Sequence, residues 1–212
     1  MSNRYQTILF DLDSTLIDNK AASRSIFPSL RSQYPILAGQ EERLFYACFG
    51  RLSGEEAYRA LCEELGWEDA PAYATCREWV LALYVNATVC LLATVPTLQA
   101  LRQKGYVLGV ITNGDTFAQT TKLASGKLAD YFDVIVISQA VGIKKPDPRI
   151  YEIALERIGA EKQTALFVGD NPKTDILGAQ NAGIDSFLIT DGENSCGATY
   201  FGKDISCLLE FL

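Results

Sequence analysis

Strand and helix alternate from Val95 to the end of the chain, and this alternation constrains the fold more than any other feature. Short apolar runs typical of buried strands lie at residues 7–10, 107–111, 134–137, 165–168 and 186–189. Segments with helical patterns lie at residues 96–104, 116–128, 146–158, 175–182 and 205–211. Strands joined by helical, right-handed crossovers form a doubly wound parallel sheet, so we predict an α/β core.

The segment between the first strand and this alternation has helical patterns and no convincing strand. Helices are predicted at 16–34 with a break near Pro28, at 40–65 with an interruption at 50–54, and at 71–86. Ser53 and Glu56 match a capping box, Gly66 is a helix stop, and Pro71 suits a first turn. We expect residues 1–15 and 91–212 to form the core domain and residues 16–90 to form an inserted helical domain.

Composition and charge exclude several kinds of function. The 212 residues carry a net charge of −7 without a Lys/Arg cluster, which argues against binding a nucleic-acid polymer. The chain has no histidine, which excludes Ser-His-Asp and Cys-His nucleophile systems and His-ligated zinc. Its six cysteines form no C-x-x-C pair, and no G-x-G-x-x-G follows a strand. Chemistry must therefore depend on carboxylates, lysines, hydroxyl groups and metal.

Hydrophobic patterning indicates where the protein works. No apolar run approaches the ~18 residues that a membrane span needs. Residues 1–10 contain no signal-peptide pattern, because Asp11 interrupts the apolar run. We therefore expect a cytoplasmic protein without a membrane partner.

Two aspartates, Asp11 and Asp13, follow directly after the first predicted strand. Open α/β sheets bind ligands at the carboxyl ends of their strands. Residues two apart on an extended backbone point to the same side, so both carboxylates can face one ligand. A hard divalent cation would offset their repulsion. The alternative is that Asp13, Ser14 and Thr15 form only a turn and a helix cap.

Two further motifs carry groups that suit a phosphate. Thr112 and Asn113 offer a hydroxyl, an amide and backbone N–H groups at the end of a strand, although Thr-Asn-Gly is also an ordinary turn. Lys145 precedes a predicted helix and can neutralise both a carboxylate and a phosphate. A solvated surface lysine is the alternative, and by spacing alone the neighbouring Lys144 is a fair competitor, although we prefer Lys145.

The fourth motif supplies two more acids after another strand. Gly169 lets the backbone approach closely, and Asp170 can reach the cation that Asp11 binds. Asp175 can hydrogen-bond a metal-bound water or cap the helix that follows.

In order and spacing, the chain resembles the haloacid dehalogenase-like (HAD) hydrolase superfamily over residues 8–183, in four motifs: DLDST (11–15), TN (112–113), KP (145–146) and GD (169–170) with Asp175. The helical segment resembles the cap of the subfamily in which a cap interrupts the core after the first motif. The resemblance is nearest to small cytoplasmic phosphatases that are similar to pyrimidine 5′-nucleotidases and phosphoglycolate phosphatases. It implies a Rossmann-like core with a helical cap and a Mg²⁺-dependent phosphatase for a nucleotide, sugar phosphate or organic-acid phosphate.

The resemblance also implies roles in the reaction. Asp11 would be the nucleophile that forms an aspartyl-phosphate, which is readily hydrolysed. Asp13 would be the general acid for the leaving group and then the base for water. Thr112 and Asn113 would hold phosphate oxygens, and Lys145 would orient and neutralise Asp11.

The metal site follows from the same resemblance. Mg²⁺ would be bound by the Asp11 carboxylate, the backbone carbonyl of Asp13 and Asp170, with Asp175 acting through a water. The ion would orient the two anions and offset the charge of the transition state.

Other interpretations stay open at this point. The acid at Asp13 favours phosphate chemistry over dehalogenation, since HAD-type 2-haloacid dehalogenases carry tyrosine there and need no metal. A phosphomutase stays possible, because such enzymes use the same four motifs. A signalling or non-catalytic phosphate-binding domain is the alternative of another class. Arg51 is a candidate for substrate specificity, with a solvated arginine at a helix end as the alternative. The expected partner is a small phosphorylated metabolite, and the protein can be a monomer or a homodimer.

Overall fold

The computed structural model describes residues 4–49, 53–192 and 194–212. The chain divides into two compact units, one of Met1–Asp18 with Cys90–Leu212 and the other of Asn19–Val89. Within the described residues, no helix combines the length and the apolar character needed to cross a membrane.

The unit of Asn19–Val89 is built from helices. They are α1 (Asn19–Ser25), α2 (Phe27–Gln33), α3 (Glu41–Phe49), α4 (Glu55–Leu65) and α5 (Tyr73–Asn86). The two ends of this unit are tied together, because the Tyr84 hydroxyl on α5 donates to Asn19 Oδ1 at 2.8 Å. Aromatic side chains pack on one another inside it: Tyr34 contacts both Trp67 and Trp79, with ring centroids 4.8 and 5.6 Å away.

The helix predicted at 16–34 differs from the observed one at its start. It begins only at Asn19, because the chain before it is held in main-chain pairing: Ser14 N donates to Ile17 O, and Ile17 forms an isolated bridge with Cys90. The predicted break falls at Ile26, just before Pro28. Proline is tolerated there because the first turn of a helix does not need its N–H.

Two other local predictions in this unit are wrong, and one is confirmed. The N-cap of α4 is Gly54, and no side chain caps it, so the capping box at Ser53 does not form. Two glutamates in the first turn of α4 favour that helix end by their charge instead. Pro71 lies before the N-cap of α5, Ala72, and not in its first turn. Gly66 ends α4 in the left-handed conformation, as expected (φ 63°).

The other unit contains a six-stranded sheet. The strands are β1 (Thr7–Phe10), β2 (Val107–Thr112), β3 (Val134–Ile137), β4 (Ala165–Gly169), β5 (Asp185–Ile189) and β6 (Tyr200–Gly202). They are all parallel, in the order β3-β2-β1-β4-β5-β6. This order confirms the predicted doubly wound α/β core. The three-residue edge strand β6 was not predicted, because its sequence contains no apolar run.

Helices and helical turns cover this sheet. The α-helices are α6 (Thr94–Gln103), α7 (Thr116–Ser125), α8 (Ser138–Val141), α9 (Arg149–Ile158) and α10 (Leu177–Ala182). The helix predicted from 146 begins only at Arg149, and the one predicted to reach 128 ends before Gly126. The helix predicted from 175 is a π-helical turn (Pro172–Ile176) followed by α10, and the last one is a 3₁₀ segment (Ile205–Glu210).

The central strand β1 is fully buried between two apolar layers. Ile8 and Phe10 pack into the core on one face of the sheet, and Leu9 packs into the core on the other. Phe10 pairs in register with Val110 of β2 and Val168 of β4. The chain leaves β3 and returns on the far side of β1, so the strand order reverses beside β1. That is where doubly wound sheets bind ligands.

Gly109 in β2 is required by close packing. A Cβ atom at this position would lie 2.5 Å from Val134 Cγ1 and 2.7 Å from Leu9 Cδ2. We expect Gly109→Ala to lower the free energy of unfolding by about 1–3 kcal/mol, since an added methyl overpacks this site. Urea unfolding followed by circular dichroism measures the change.

Gly192→Ala is the matched control. Among the described residues, its Cβ would meet only Thr190 Oγ1, at 3.3 Å on an exposed loop, and we expect a change within about 0.5 kcal/mol. Equal unfolding midpoints for Gly109→Ala and the wild type would contradict this close packing around Gly109.

Candidate active site

A polar cavity of about 300 Å³ lies at the carboxyl ends of the central strands. It is formed by side chains that follow β1, β2, β3 and β4: Asp11, Asp13, Ser14, Asn113, Lys145, Asp170, Asn171, Thr174 and Asp175. Six of the residues proposed from the sequence thus meet in one cavity. Thr112 is fully buried and is not one of the lining residues, and Arg51 is outside the described residues.

The sheet fixes the first aspartate of the cavity. Asp11 continues the main-chain pairing of β1, with its N–H donating to Val168 O at 2.8 Å. Leu12 is fully buried in the core, whereas Asp11 and Asp13 on either side of it both line the cavity. The two acids therefore lie on one side of the chain, as residues two apart on an extended backbone do.

Lys145 lies between two buried carboxylates. Its Nζ is 2.5 Å from Asp11 Oδ1 and 2.8 Å from Asp175 Oδ1, and only 3% of the residue is exposed. Burial by itself would lower the pKa of Lys145, but the charges of Asp11 and Asp175 outweigh it and the pKa is raised. Lys145 is therefore a permanent cation in the cavity wall. The neighbouring Lys144 is exposed.

The Asn113 side chain holds the main chain of Lys145. Asn113 Oδ1 accepts from the Lys145 N–H at 2.8 Å, and Asn113 Nδ2 donates to the Lys145 carbonyl at 3.0 Å. The peptide bond from Lys145 to Pro146 is cis. Both functional groups of the Asn113 amide are thus occupied in positioning the lysine.

Asp175 is a second fixed point for Lys145. It lies on the π-helical turn, is 1% exposed, and accepts from the Asn171 N–H through Oδ2 at 3.0 Å. A Cβ at Gly169 would lie 2.6 Å from Asp175 Cγ, so only glycine leaves room for this carboxylate. Asp175 therefore fastens the loop after β4 to the lysine, and it does not cap the following helix.

Three carboxylates converge in the cavity, and two of them are paired with Lys145. Asp11, Asp170 and Asp175 each place an oxygen so that the three oxygens lie within 4.8 Å of one another. Burial, reinforced by the charge of Asp175 and opposed by Lys145, raises the pKa of Asp11 to about 7. Burial and the charge of Asp175 raise the pKa of Asp170 to about 6. One ammonium group thus leaves negative charge uncompensated, and three hard oxygen donors fit a divalent cation such as Mg²⁺.

The Asp13 carboxylate points away from this trio and toward α7. Its Oδ1 accepts from Lys122 Nζ at 2.6 Å, and its Oδ2 accepts from Gln119 Nε2 at 2.7 Å. Gln119 Nε2 also donates to the hydroxyl of the fully buried Thr112 at 2.6 Å. Sequence reasoning missed Gln119 and Lys122. Their signal was two polar residues at i, i+3 on the same helix face as Ala118 and Leu123, which are buried.

Comparison with known proteins identifies a family and several relatives named for their activity on phosphate esters. The family described as haloacid dehalogenase-like hydrolase matches residues 8–189. A glyceraldehyde 3-phosphate phosphatase of Methanothermobacter thermautotrophicus is 30% identical over 195 residues, which cover 87% of this chain and 85% of that protein. Pyrimidine 5′-nucleotidase YjjG of Escherichia coli is 42% identical over 106 residues, 48% of this chain and 47% of that protein.

A solved structure matches nearly the whole chain. A HAD phosphatase from Thermococcus onnurineus has 27% sequence identity and a TM-score of 0.69, covering 97% of this chain and 96% of that one.

The arrangement around Lys145 predicts a large effect of removing its charge. Lys145→Met leaves Asp11 and Asp175 buried without their cation, so we expect a loss of about 3 kcal/mol in the free energy of unfolding. Urea unfolding in EDTA measures it without help from a bound metal. Lys144→Met, one residue away and exposed, is the control and should change by less than about 0.5 kcal/mol. Similar losses in the two variants would refute the assignment of the buried cation to Lys145.

Proposed function

The chain belongs to the haloacid dehalogenase-like hydrolase family, and we propose that it is a Mg²⁺-dependent phosphatase that hydrolyses small phosphomonoesters through an aspartyl-phosphate. It is a hydrolase that acts on phosphoric monoester bonds, as its relatives named phosphatases and nucleotidases are. The observation that carries the proposal is the position of Asp11, which lies beside Lys145 and two further acids in one polar cavity.

Asp11 is the nucleophile in this proposal. The attack requires the anionic form of the Asp11 carboxylate. Burial of Asp11 disfavours this anion, and the ion pair with Lys145 favours it. A bond forms between an Asp11 oxygen and phosphorus while the ester P–O bond breaks. Asp13 gives a proton to the leaving alkoxide as this bond breaks. It then accepts a proton from the water that attacks phosphorus, and the bond between Asp11 and phosphorus breaks to release phosphate and restore the carboxylate.

The cavity has the donors that a divalent metal would need. Asp11 and Asp170 would hold the ion through carboxylate oxygens, the Asp13 backbone carbonyl would be a further ligand, and Asp175 would act through a water. When bound, Mg²⁺ supplies charge compensation for the phosphate and the carboxylates. The fit rests on three oxygen donors and an excess of negative charge, in a cavity whose described lining contains neither histidine nor cysteine.

The turn after β2 is the proposed phosphate cradle. Because the Asn113 amide is occupied by the Lys145 main chain, Asn113 would contribute its backbone to phosphate oxygens. The Thr112 hydroxyl accepts from Gln119 and keeps its own proton to donate. The Lys145 ammonium provides the positive charge.

The substrate and its setting are also part of the proposal. We assign the inserted helical segment, residues 16–90, as the cap that selects the substrate, with Arg51 as a candidate contact. Relatives named for glyceraldehyde 3-phosphate and for pyrimidine nucleotides favour a small phosphorylated metabolite. The cytoplasm is the proposed location.

Loss of the nucleophile tests the chemical step. Asp11→Asn should lower phosphate release about 10³-fold or more, because an amide cannot form the acyl phosphate. Release is measured from p-nitrophenyl phosphate, glyceraldehyde 3-phosphate, phosphoglycolate and nucleoside 5′-monophosphates. Mass spectrometry of acid-quenched protein should find one phosphoryl group on wild-type Asp11. The exposed Asp191→Asn is the matched control, and full activity of Asp11→Asn would refute the mechanism.

Metal removal tests the role of the acidic trio. EDTA should abolish phosphate release and added Mg²⁺ should restore it. Asp170→Asn should need at least ~10-fold more Mg²⁺ for half-maximal activity, since loss even of an outer-shell partner weakens metal binding by that factor. Activity that persists in EDTA, or an unchanged Mg²⁺ requirement in Asp170→Asn, would contradict the metal site.

A further inference from the structure

Two side chains of helix α7 donate hydrogen bonds to the Asp13 carboxylate, one to each oxygen. Lys122 Nζ donates to Oδ1 at 2.6 Å and Gln119 Nε2 donates to Oδ2 at 2.7 Å. Asp13 is the more exposed partner, with 28% of its side chain accessible against 9% for Lys122. A carboxylate whose two oxygens are bound by two buried groups has a fixed orientation.

Gln119 links Asp13 to the end of β2 as well. The two protons of its amide are used in the bonds to Asp13 Oδ2 and Thr112 Oγ1, at 2.7 and 2.6 Å, with Asn113 O farther away at 3.4 Å. The side chain is 2% exposed and packs closely: a Cβ at Gly114 would lie 2.9 Å from its Cγ and Cδ. The Gln119 amide is therefore held in one position, where it donates to both Asp13 and Thr112.

Neither α7 residue lines the cavity. They donate to Asp13 and Thr112 instead, and they would act on a reactant through these two residues. Burying a lysine is costly unless the charge is paired, and Lys122 pairs with the one carboxylate that would exchange protons.

We propose that Gln119 and Lys122 are positioning residues that hold the Asp13 carboxylate where it can exchange a proton with the leaving group. The inference rests on the proposed function, in which Asp13 is the general acid and base. It assigns to α7 the alignment of that acid with the phosphate cradle at Thr112. Without the two donors, Asp13 rotates and donates its proton less effectively.

The leaving group provides the readout. An alkoxide needs a proton from Asp13 as the ester bond breaks, whereas p-nitrophenolate leaves without one. The ratio kcat/KM covers the steps up to the first irreversible phosphoryl transfer. A variant that lowers kcat/KM for an alkyl phosphomonoester more than for p-nitrophenyl phosphate is therefore impaired in proton donation. General damage to the fold lowers kcat/KM for both esters together.

The experiment compares Lys122→Met, Gln119→Leu and Asp13→Asn with the wild type on p-nitrophenyl phosphate and on the best alkyl ester of the panel. We expect kcat/KM for the alkyl ester to fall about tenfold or more in each α7 variant, within the range that general acid catalysis contributes. The value for p-nitrophenyl phosphate should change by less than about threefold. Asp13→Asn should show the same discrimination more strongly, and Lys122→Arg should recover most of the alkyl activity.

Two kinds of control separate an effect on the position of Asp13 from an effect on the stability of the protein. Gln103→Leu and Lys144→Met change exposed residues of the same types and should leave both kcat/KM values at the wild-type level. Melting temperatures identify variants that are poorly folded at the assay temperature. If Gln119→Leu is one of them, Gln119→Met replaces it, because its unbranched chain matches the length of glutamine without the donor.

The outcomes distinguish the inference from the proposed function. If Asp13→Asn discriminates between the two esters and both α7 variants do not, the positioning role is overturned and the phosphatase mechanism stands. If Asp13→Asn itself does not discriminate, or Asp11→Asn keeps its activity, the proposed mechanism fails and the inference fails with it. Discrimination by all three variants supports both.

Discussion

The arrangement of the cavity depends on one buried ammonium group. Lys145 Nζ lies between Asp11 and Asp175, and these acids would repel each other in a buried site without it. The Asn113 amide fixes the main chain of the lysine, and the loop after β4 fixes Asp175. Every segment that contributes to the cavity is therefore tied to this charge. Since three carboxylates still exceed one lysine, the same arrangement that makes the site stable leaves it ready for a divalent cation.

The sheet brings these groups together by a simple constraint. β1 is buried on both faces and pairs with β2 and β4, so its last residue has a fixed place relative to theirs. Parallel strands end at the same edge, and the loops after β1, β2 and β4 must meet there. Polar side chains on these loops then face a common cavity, whatever lies in the sequence between them. Close packing at Gly109 and Gly169 shows how little space this arrangement leaves.

Much of the fold could be predicted because its signals are local. The runs at β1 to β5 are apolar enough to mark buried strands, and Gly66 ends α4 where a left-handed residue was expected. The failures are places where tertiary contacts replace local rules. Ser53 fits a capping pattern but Gly54 is the N-cap. Leu16 and Ile17 have a helical pattern but pair through their main chains with Leu91 and Cys90. The edge strand β6 owes its conformation to β5, since its three residues have no strand pattern of their own.

The sequence by itself determined the parallel α/β core and the set of acids, amide and lysine that follow its strands, because periodicity and motif spacing are properties of the chain alone. Only the tertiary structure placed Lys145 against Asp11, since spacing alone did not separate it from Lys144. Only the tertiary structure showed that the Asn113 amide binds the main chain of Lys145, and that Gln119 and Lys122 bind Asp13. These pairings join residues on different elements, and their side chains face one another only after the sheet has formed. Hydrogen bonds and ion pairs act over a few ångströms, and spacing along the sequence does not encode that proximity.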